Sequence, residues 1–161
     1  MTAFITLVVA AFLTGLDQVL KALVVLKLKP TGIQMLIPGV LQLHYVENDG
    51  AMMGMLPGKT ALMAVLAVIM LAVMLYVIFS KKISSKVIYC ALVCVFSGGL
   101  GNIIDRIFRG FVIDYIEVLF VKFYVFNFAD CLITVGAFAI LIYELVAIVS
   151  DQKRKKAQQN G

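Results

Sequence analysis

The sequence predicts a membrane protein, mainly α, with four transmembrane helices and a small extracytoplasmic β element. Three observations predict it. First, 63% of the 161 residues are apolar and 14% are charged, with a mean hydropathy of +1.05. A soluble domain carries roughly a quarter charged and under half apolar residues. Too few charges are present to clothe such a core in water, so lipid is the main solvent. A soluble enzyme, a nucleic-acid-binding domain and a disordered tail protein are excluded, and the net charge of +5 reads as the flanking of membrane spans. Second, four stretches approach or exceed the roughly 20 residues that cross a hydrocarbon core about 30 Å thick. Third, the links on one side of those spans contain runs with strand character.

The first span covers residues 2–26 and carries Asp17, Gln18 and Lys21. It lacks a basic leader and a small-residue cleavage site, so it is expected to be retained. In the link that follows, Leu41–Glu47 alternates imperfectly with period two and ends in the turn formers Asn48-Asp49-Gly50. The second span, residues 60–79, has no charge. The third, residues 87–104, is also uncharged and ends in Ser97-Gly98-Gly99-Leu100-Gly101-Asn102, where the glycines permit close helix approach. Phe111–Ile116 and Phe120–Phe126 are rich in β-branched and aromatic residues and read as short strands. The fourth span, residues 128–149, holds Asp130 near its start and Glu144 near its end, where Glu144 reads as an interfacial residue. Residues 1–150 thus form one integral-membrane domain, and the basic tail 151–161 is expected to be disordered.

Basic residues set the orientation. Lys81, Lys82 and Lys86 sit in one short link, and Lys153, Arg154, Lys155 and Lys156 in the tail. Lys27, Lys29, Lys59, Arg106, Arg109 and Lys122 are spread over two longer links. Both termini are therefore expected in the cytoplasm, with the longer links outside.

Ionisable groups at membrane depth cost a few kcal/mol on insertion scales, roughly, and are functional candidates. Asp17 and Lys21 are four apart on one helix face with signs that pair; either they lock the first span to its neighbours or they contact substrate. Asn102 and Arg106 share a face. The Arg106 fork suits a carboxylate or a lipid phosphate, or else it is an arginine reaching the interface. Asp105 beside it is a further candidate acid. Asp114 stands alone in an apolar strand-like run. Asp130 opens a helix, where capping by itself is an adequate account. Both acids are expected at the outer interface, and two carboxylates brought together there do not both ionise easily. A base and an acid around one water is the machinery of aspartic proteolysis.

Other hydrolytic chemistries are poorly served. His44 is the only histidine, which rules out a zinc site of two or three histidines. Cys131 follows an acid that opposes thiolate formation, and Cys90 and Cys94 read as packing residues. A small proton- or ion-coupled transporter is the alternative, since intramembrane Asp and Lys also mark relays; but the polar blocks gather at one interface and no internal repeat is visible.

The ordered blocks Asp17-Gln18-x-x-Lys21, Asn48-x-Gly50-Ala51, Gly98-x-x-x-Asn102-x-x-Asp105-Arg106, Val112-Ile113-Asp114-Tyr115-Ile116 and Phe126-Asn127-x-Ala129-Asp130 resemble the lipoprotein signal peptidase family, signal peptidase II. The resemblance spans residues from about 10 to 145. It implies an aspartic endopeptidase of the bacterial cytoplasmic membrane that removes the signal peptide from prolipoproteins, cleaving before the diacylglyceryl-cysteine. Asp114 and Asp130 would be the catalytic pair. Asn48, Gly50, Asn102, Arg106 and Asn127 would shape the site, with Asp17, Lys21 and Asp105 in support. The resemblance further implies no metal or organic cofactor and sensitivity to globomycin-type inhibitors; because one chain contains every proposed catalytic part, a monomer among membrane phospholipid is expected. Two departures stand out: Cys131 where the family often has serine, and Met52-Met53 where an alanine and an aromatic are usual.

Overall fold

The computed structural model describes residues 3–50, 60–80, 83–121 and 123–159. Its elements run α1 (Ala3–Lys27), β1 (Ile33–Ile37), β2 (Leu41–Asn48), α2 (Thr60–Phe79), α3 (Lys86–Phe108), β3 (Val112–Val118) and α4 (Phe128–Gln159). The four helices are each long and apolar enough to cross a membrane. Their outward faces are rich in exposed Leu, Ile, Val and Phe, the surface that only hydrocarbon covers at low cost.

Helix α3 is the hub, packing against each of the other three, whereas α2 packs chiefly on α3. Side chains are absent where backbones must approach. A Cβ on Gly98 would collide with the Ala129 carbonyl of α4, and one on Gly101 would lie 2.5 Å from the Asp17 carboxylate of α1. Polar side chains join α1 to α3 as well: Thr6 meets the Tyr89 hydroxyl at 2.6 Å, and Thr14 donates to the Ser97 carbonyl at 3.2 Å. Apolar packing fills the rest, with Ala10, Leu71, Ile78, Val93, Phe96 and Ile103 in one cluster.

The strands form one antiparallel sheet in the order β1-β2-β3. It is joined to the C-terminal ends of α1 and α3 and to the N-terminal ends of α2 and α4, so it sits at one end of the bundle. A second apolar cluster of Val24, Leu28, Ile113 and Tyr115 ties it to α1.

The strand expected over 120–126 does not form. Among the described residues of that run only Phe126 pairs, in an isolated bridge to Ile116, two residues before α4 begins. A strand not expected, β1, is built from Ile33–Ile37 and returns through a Gly39 turn with φ 71°. The third helix runs one turn beyond the expected Ile104, to Phe108, because Asp105 finds cationic partners and need not leave the helix. The tail expected to be disordered continues α4 to Gln159; its Lys155 pairs with Asp151 one turn earlier. Ala51, Met52, Met53, Lys59, Lys81, Lys82 and Lys122 lie outside the described residues.

Candidate active site

Every site residue expected from the sequence lies in one hydrogen-bonded network at the sheet end of the bundle. Its deeper part centres on Lys21, whose side chain is fully buried. The ammonium is 2.9 Å from Asp17 Oδ2 and 2.9 Å from Asp105 Oδ2, and donates to Asn102 Oδ1 at 2.9 Å. Three charge-assisted bonds use all three donors of the group. Asp17 Oδ1 accepts from the Ala129 backbone at 3.1 Å, and Asp105 Oδ2 from Ile113 N at 3.2 Å. This one cluster therefore pins α1, α3, β3 and the start of α4 together.

Asp114 and Asp130 lie beyond it. Asn127 immediately precedes α4 and forms a reciprocal cap with Asp130. Asn127 Oδ1 accepts from Asp130 N at 3.0 Å, and Asp130 Oδ2 accepts from Asn127 N at 3.1 Å, the geometry of a capping box. Capping thus accounts for one oxygen of Asp130 and leaves the other, Oδ1, to accept from Asn102 Nδ2 at 2.8 Å. The same Asn127 donates from Nδ2 to Asp114 Oδ1 at 2.6 Å and to Asn102 Oδ1 at 3.1 Å. Asn48 Nδ2 holds Asp114 Oδ2 at 2.8 Å. One residue, Asn127, thus bonds both carboxylates, and neither carboxylate has a cation among its hydrogen-bond partners in the described residues. With Asn102 Oδ1 accepting from Lys21 and Asn127, both amide orientations are fixed by their partners.

Asp114 is almost wholly buried. Burial, reinforced by the nearby charge of Asp130, pushes its carboxyl up to about 6, against the lowering effect of its bonds from Asn48 and Asn127. A carboxylic acid so placed can carry a proton near neutrality, beside a second carboxylate held by neutral amides.

Arg106 overlooks the pair. Its guanidinium donates to the Asn102 and Gly50 carbonyls, each at 3.3 Å, so it turns back onto the protein rather than out to the interface. Its Nε–H is buried without a hydrogen-bond partner among the described residues. Gly50 is fastened in turn, its N–H donating to Asn48 Oδ1 at 3.1 Å.

Two residues beyond the expected set belong here. Gln18 donates to Asp17, to the Gly101 carbonyl and, at 3.4 Å, to Asp105; the block Asp17-Gln18-x-x-Lys21 had marked it without assigning it a role. Arg109 reaches Asp105 at 3.5 Å, a contact the i, i+4 spacing allows. His44 is outside the network, on β2, 2.8 Å from Glu117. Among the described residues no group of three or more His, Cys, Asp or Glu side chains could hold a metal ion.

Comparison with known proteins finds relatives over most of the chain. Residues 9–146 match the family described as Signal peptidase (SPase) II. The chain is 35% identical to a lipoprotein signal peptidase of Enterococcus faecalis over 95% of its own length and 92% of that protein's. It is 37% identical to one of Lactococcus lactis subsp. cremoris, over 86% and 89% respectively. A solved structure described as a bacterial membrane enzyme superposes with a TM-score of 0.80 at 29% identity, covering 95% of this chain and 92% of the other. The match spans all four helices, the sheet and both candidate acids, and the chain belongs to the signal peptidase II family of membrane peptidases.

Proposed function

We propose that the protein is an aspartic endopeptidase that cleaves lipid-modified prolipoproteins before the diacylglyceryl-cysteine, with Asp114 and Asp130 as the catalytic pair. The observation that carries this is the shared tether: Asn127 bonds both carboxylates while every cation in direct contact with a carboxylate of the network is spent on Asp17 and Asp105.

In the reaction, the ionised member of the pair takes a proton from water as the oxygen attacks the scissile carbonyl. The protonated member donates to that carbonyl oxygen, giving a neutral tetrahedral diol. Collapse of the diol returns a proton to the departing amine and leaves the pair with one proton, as it began. The two acids titrate as a coupled unit. The unspent Nε–H of Arg106 is a donor for a substrate carbonyl, and Lys21, through Asn102, orients the amide that holds Asp130.

The sheet end of the bundle, with the pair, faces outward, and both termini face the cytoplasm of a bacterial inner-membrane protein. The basic segments around Lys86 and Lys153–Lys156 support this, since they lie at the opposite end from the sheet. Each chain holds a complete set of catalytic groups and acts as a monomer among phospholipids, inhibited by globomycin-type peptides. Transport is not favoured, because the polar groups collect at one end rather than at the midplane.

Asp114→Asn and Asp130→Asn are each expected to abolish release of the signal peptide from a lipidated prolipoprotein in a purified assay, with a loss of at least about 10³-fold. Membrane insertion and helical content stay unchanged. Cleavage by either variant within tenfold of wild type would sink the pair.

A further inference from the structure

A groove of about 430 Å³ opens beside α1 on the flank of the sheet, lined by Ala22, Val25, Leu26, Tyr45, Phe111 and Ile113, with Lys29 and Arg109 at its edge. Ligand clefts fall in roughly the 300–1,000 Å³ range. The groove meets the network above only through Arg109, whose Nε contacts Asp105, and contains neither Asp114 nor Asp130. Its floor is apolar and its charged rim is cationic, with Glu47 as the acid next to Lys29.

The two cations are loosely committed. Arg109 touches Asp105 through Nε alone, at 3.5 Å, with its side chain 31% exposed; its two terminal nitrogens have no hydrogen-bond partner among the described residues. Lys29 rests over the Tyr45 ring at 5.1 Å and pairs with Glu47 at 2.8 Å, in a contact about half exposed. Gly110, with φ 82°, turns the chain sharply after α3, so Arg109 and Phe111 both reach the groove from one bend.

The groove is open to hydrocarbon on its flank. Leu26 is 72% exposed, and Phe108, next to Arg109, is 81% exposed; both belong to helices that cross the membrane. A ligand that places acyl chain on Val25 and Leu26 and a monoanionic phosphodiester between Arg109 and Lys29 satisfies every feature at once. The guanidinium fork meets phosphate oxygens in pairs, and cations at the bilayer surface favour anionic lipid. We propose that this groove is a binding site for an anionic phospholipid, held by Arg109 and Lys29 and separate from the acid pair.

The test reads binding rather than cleavage. The full-length protein in mild detergent is titrated with phosphatidylglycerol or phosphatidylcholine of matched chains, and bound lipid is counted by native mass spectrometry. Wild type is expected to retain one phosphatidylglycerol about tenfold more tightly than phosphatidylcholine. Arg109→Gln loses that preference and Lys29→Gln loses part of it. Ala22→Phe, which fills the groove without altering charge, loses retention of both lipids. Millimolar inorganic phosphate leaves the lipid bound, because the apolar floor contributes to affinity. The site is refuted if wild type retains the two lipids alike, if both charge variants keep the wild-type preference, if Ala22→Phe binds as wild type does, or if phosphate displaces the lipid.

Discussion

Two pairs of acids lie close together in this protein, three of the four buried and Asp130 partly so, and could hardly be treated more differently. Asp17 and Asp105 share one ammonium, Lys21, at 2.9 Å each. Asp114 and Asp130 are held by Asn48, Asn102, Asn127 and a backbone N–H. A carboxylate bonded to a buried cation is tied in place, because breaking the contact would leave that cation unpaired. A carboxylate held by neutral amides keeps its position and its freedom to exchange a proton. The first pair is a clamp on four elements; the second is the pair to which the proposed function gives the acid–base chemistry.

The sharpest way to break that contrast is to remove the cation. Lys21→Met leaves the buried Asp17 without a cation and Asp105 with only the 3.5 Å contact of Arg109, and is expected to cost about 3–5 kcal/mol. It would be read as a fall in apparent thermal midpoint in detergent at a fixed heating rate. Adding Asp17→Asn and Asp105→Asn to Lys21→Met should restore much of the midpoint, since an uncharged cluster needs no counterion. Asp114→Asn or Asp130→Asn should do the reverse and remove turnover without lowering the midpoint. A Lys21→Met protein as stable as wild type would mean that the clamp is not one.

A smaller effect separates the pairs by pH. Asp114 sits at about 6 in the folded protein, against an ordinary value of 3.8. The folded state therefore binds this proton more tightly than the unfolded chain does. The resulting stability is fully present below about pH 4 and is lost as pH rises through about 6. At pH 8 the ionised, buried Asp114 opposes folding by up to about 3 kcal/mol. Asp114→Asn should accordingly raise the thermal midpoint relative to wild type at pH 8 and not at pH 4. An equal difference at both values would show that Asp114 does not carry the raised affinity for its proton. In turnover, the same ionisation should appear as an alkaline limb in kcat/KM, moved upward by Asn48→Ala because the Asn48 bond favours the charged form.

Much of this division was legible in the sequence, for a physical reason. In a chain so apolar, any Asp, Asn, Lys or Arg inside a span is conspicuous, since lipid tolerates it only when something else satisfies it. That is why Asp17, Lys21, Asn102 and Arg106 stood out from the residues alone, whereas Asn48, Gly50 and Asn127, in the links, were named only through the family resemblance. Helix α2 was equally plain, with uncharged residues from Thr60 to Phe79 and nothing to blur its ends. What spacing does not encode is which acid meets which cation across helices. Asp105 competed with Asp114 and Asp130 for a catalytic role until its contact with Lys21 placed it in the clamp. Two of the three β runs became β2 and β3, but the run at 120–126 misled because aromatic and β-branched residues suit a strand and a lipid-facing loop alike. Phe120, Val121, Phe123 and Tyr124 are exposed and unpaired by the sheet, whereas β1 forms from the less regular Ile33–Ile37. The tail was misjudged through charge, since Lys and Arg favour helix as readily as they favour solvent.

Arg106 gives the finest test of the comparison, because it is a cation near the acids that bonds neither. It spends two nitrogens on the Asn102 and Gly50 carbonyls and leaves Nε–H unspent. If its contribution were charge alone, Arg106→Lys would preserve it. The geometry says otherwise: an ammonium cannot reach two carbonyls in fixed directions and still present a third donor from a planar frame. Arg106→Lys is expected to lower kcat/KM by about tenfold, close to the 1.4 kcal/mol that one hydrogen bond to a charged group contributes. Arg106→Gln, which keeps a planar donor and drops the charge, separates the two contributions. A lysine variant with wild-type kcat/KM would reduce Arg106 to a source of positive potential.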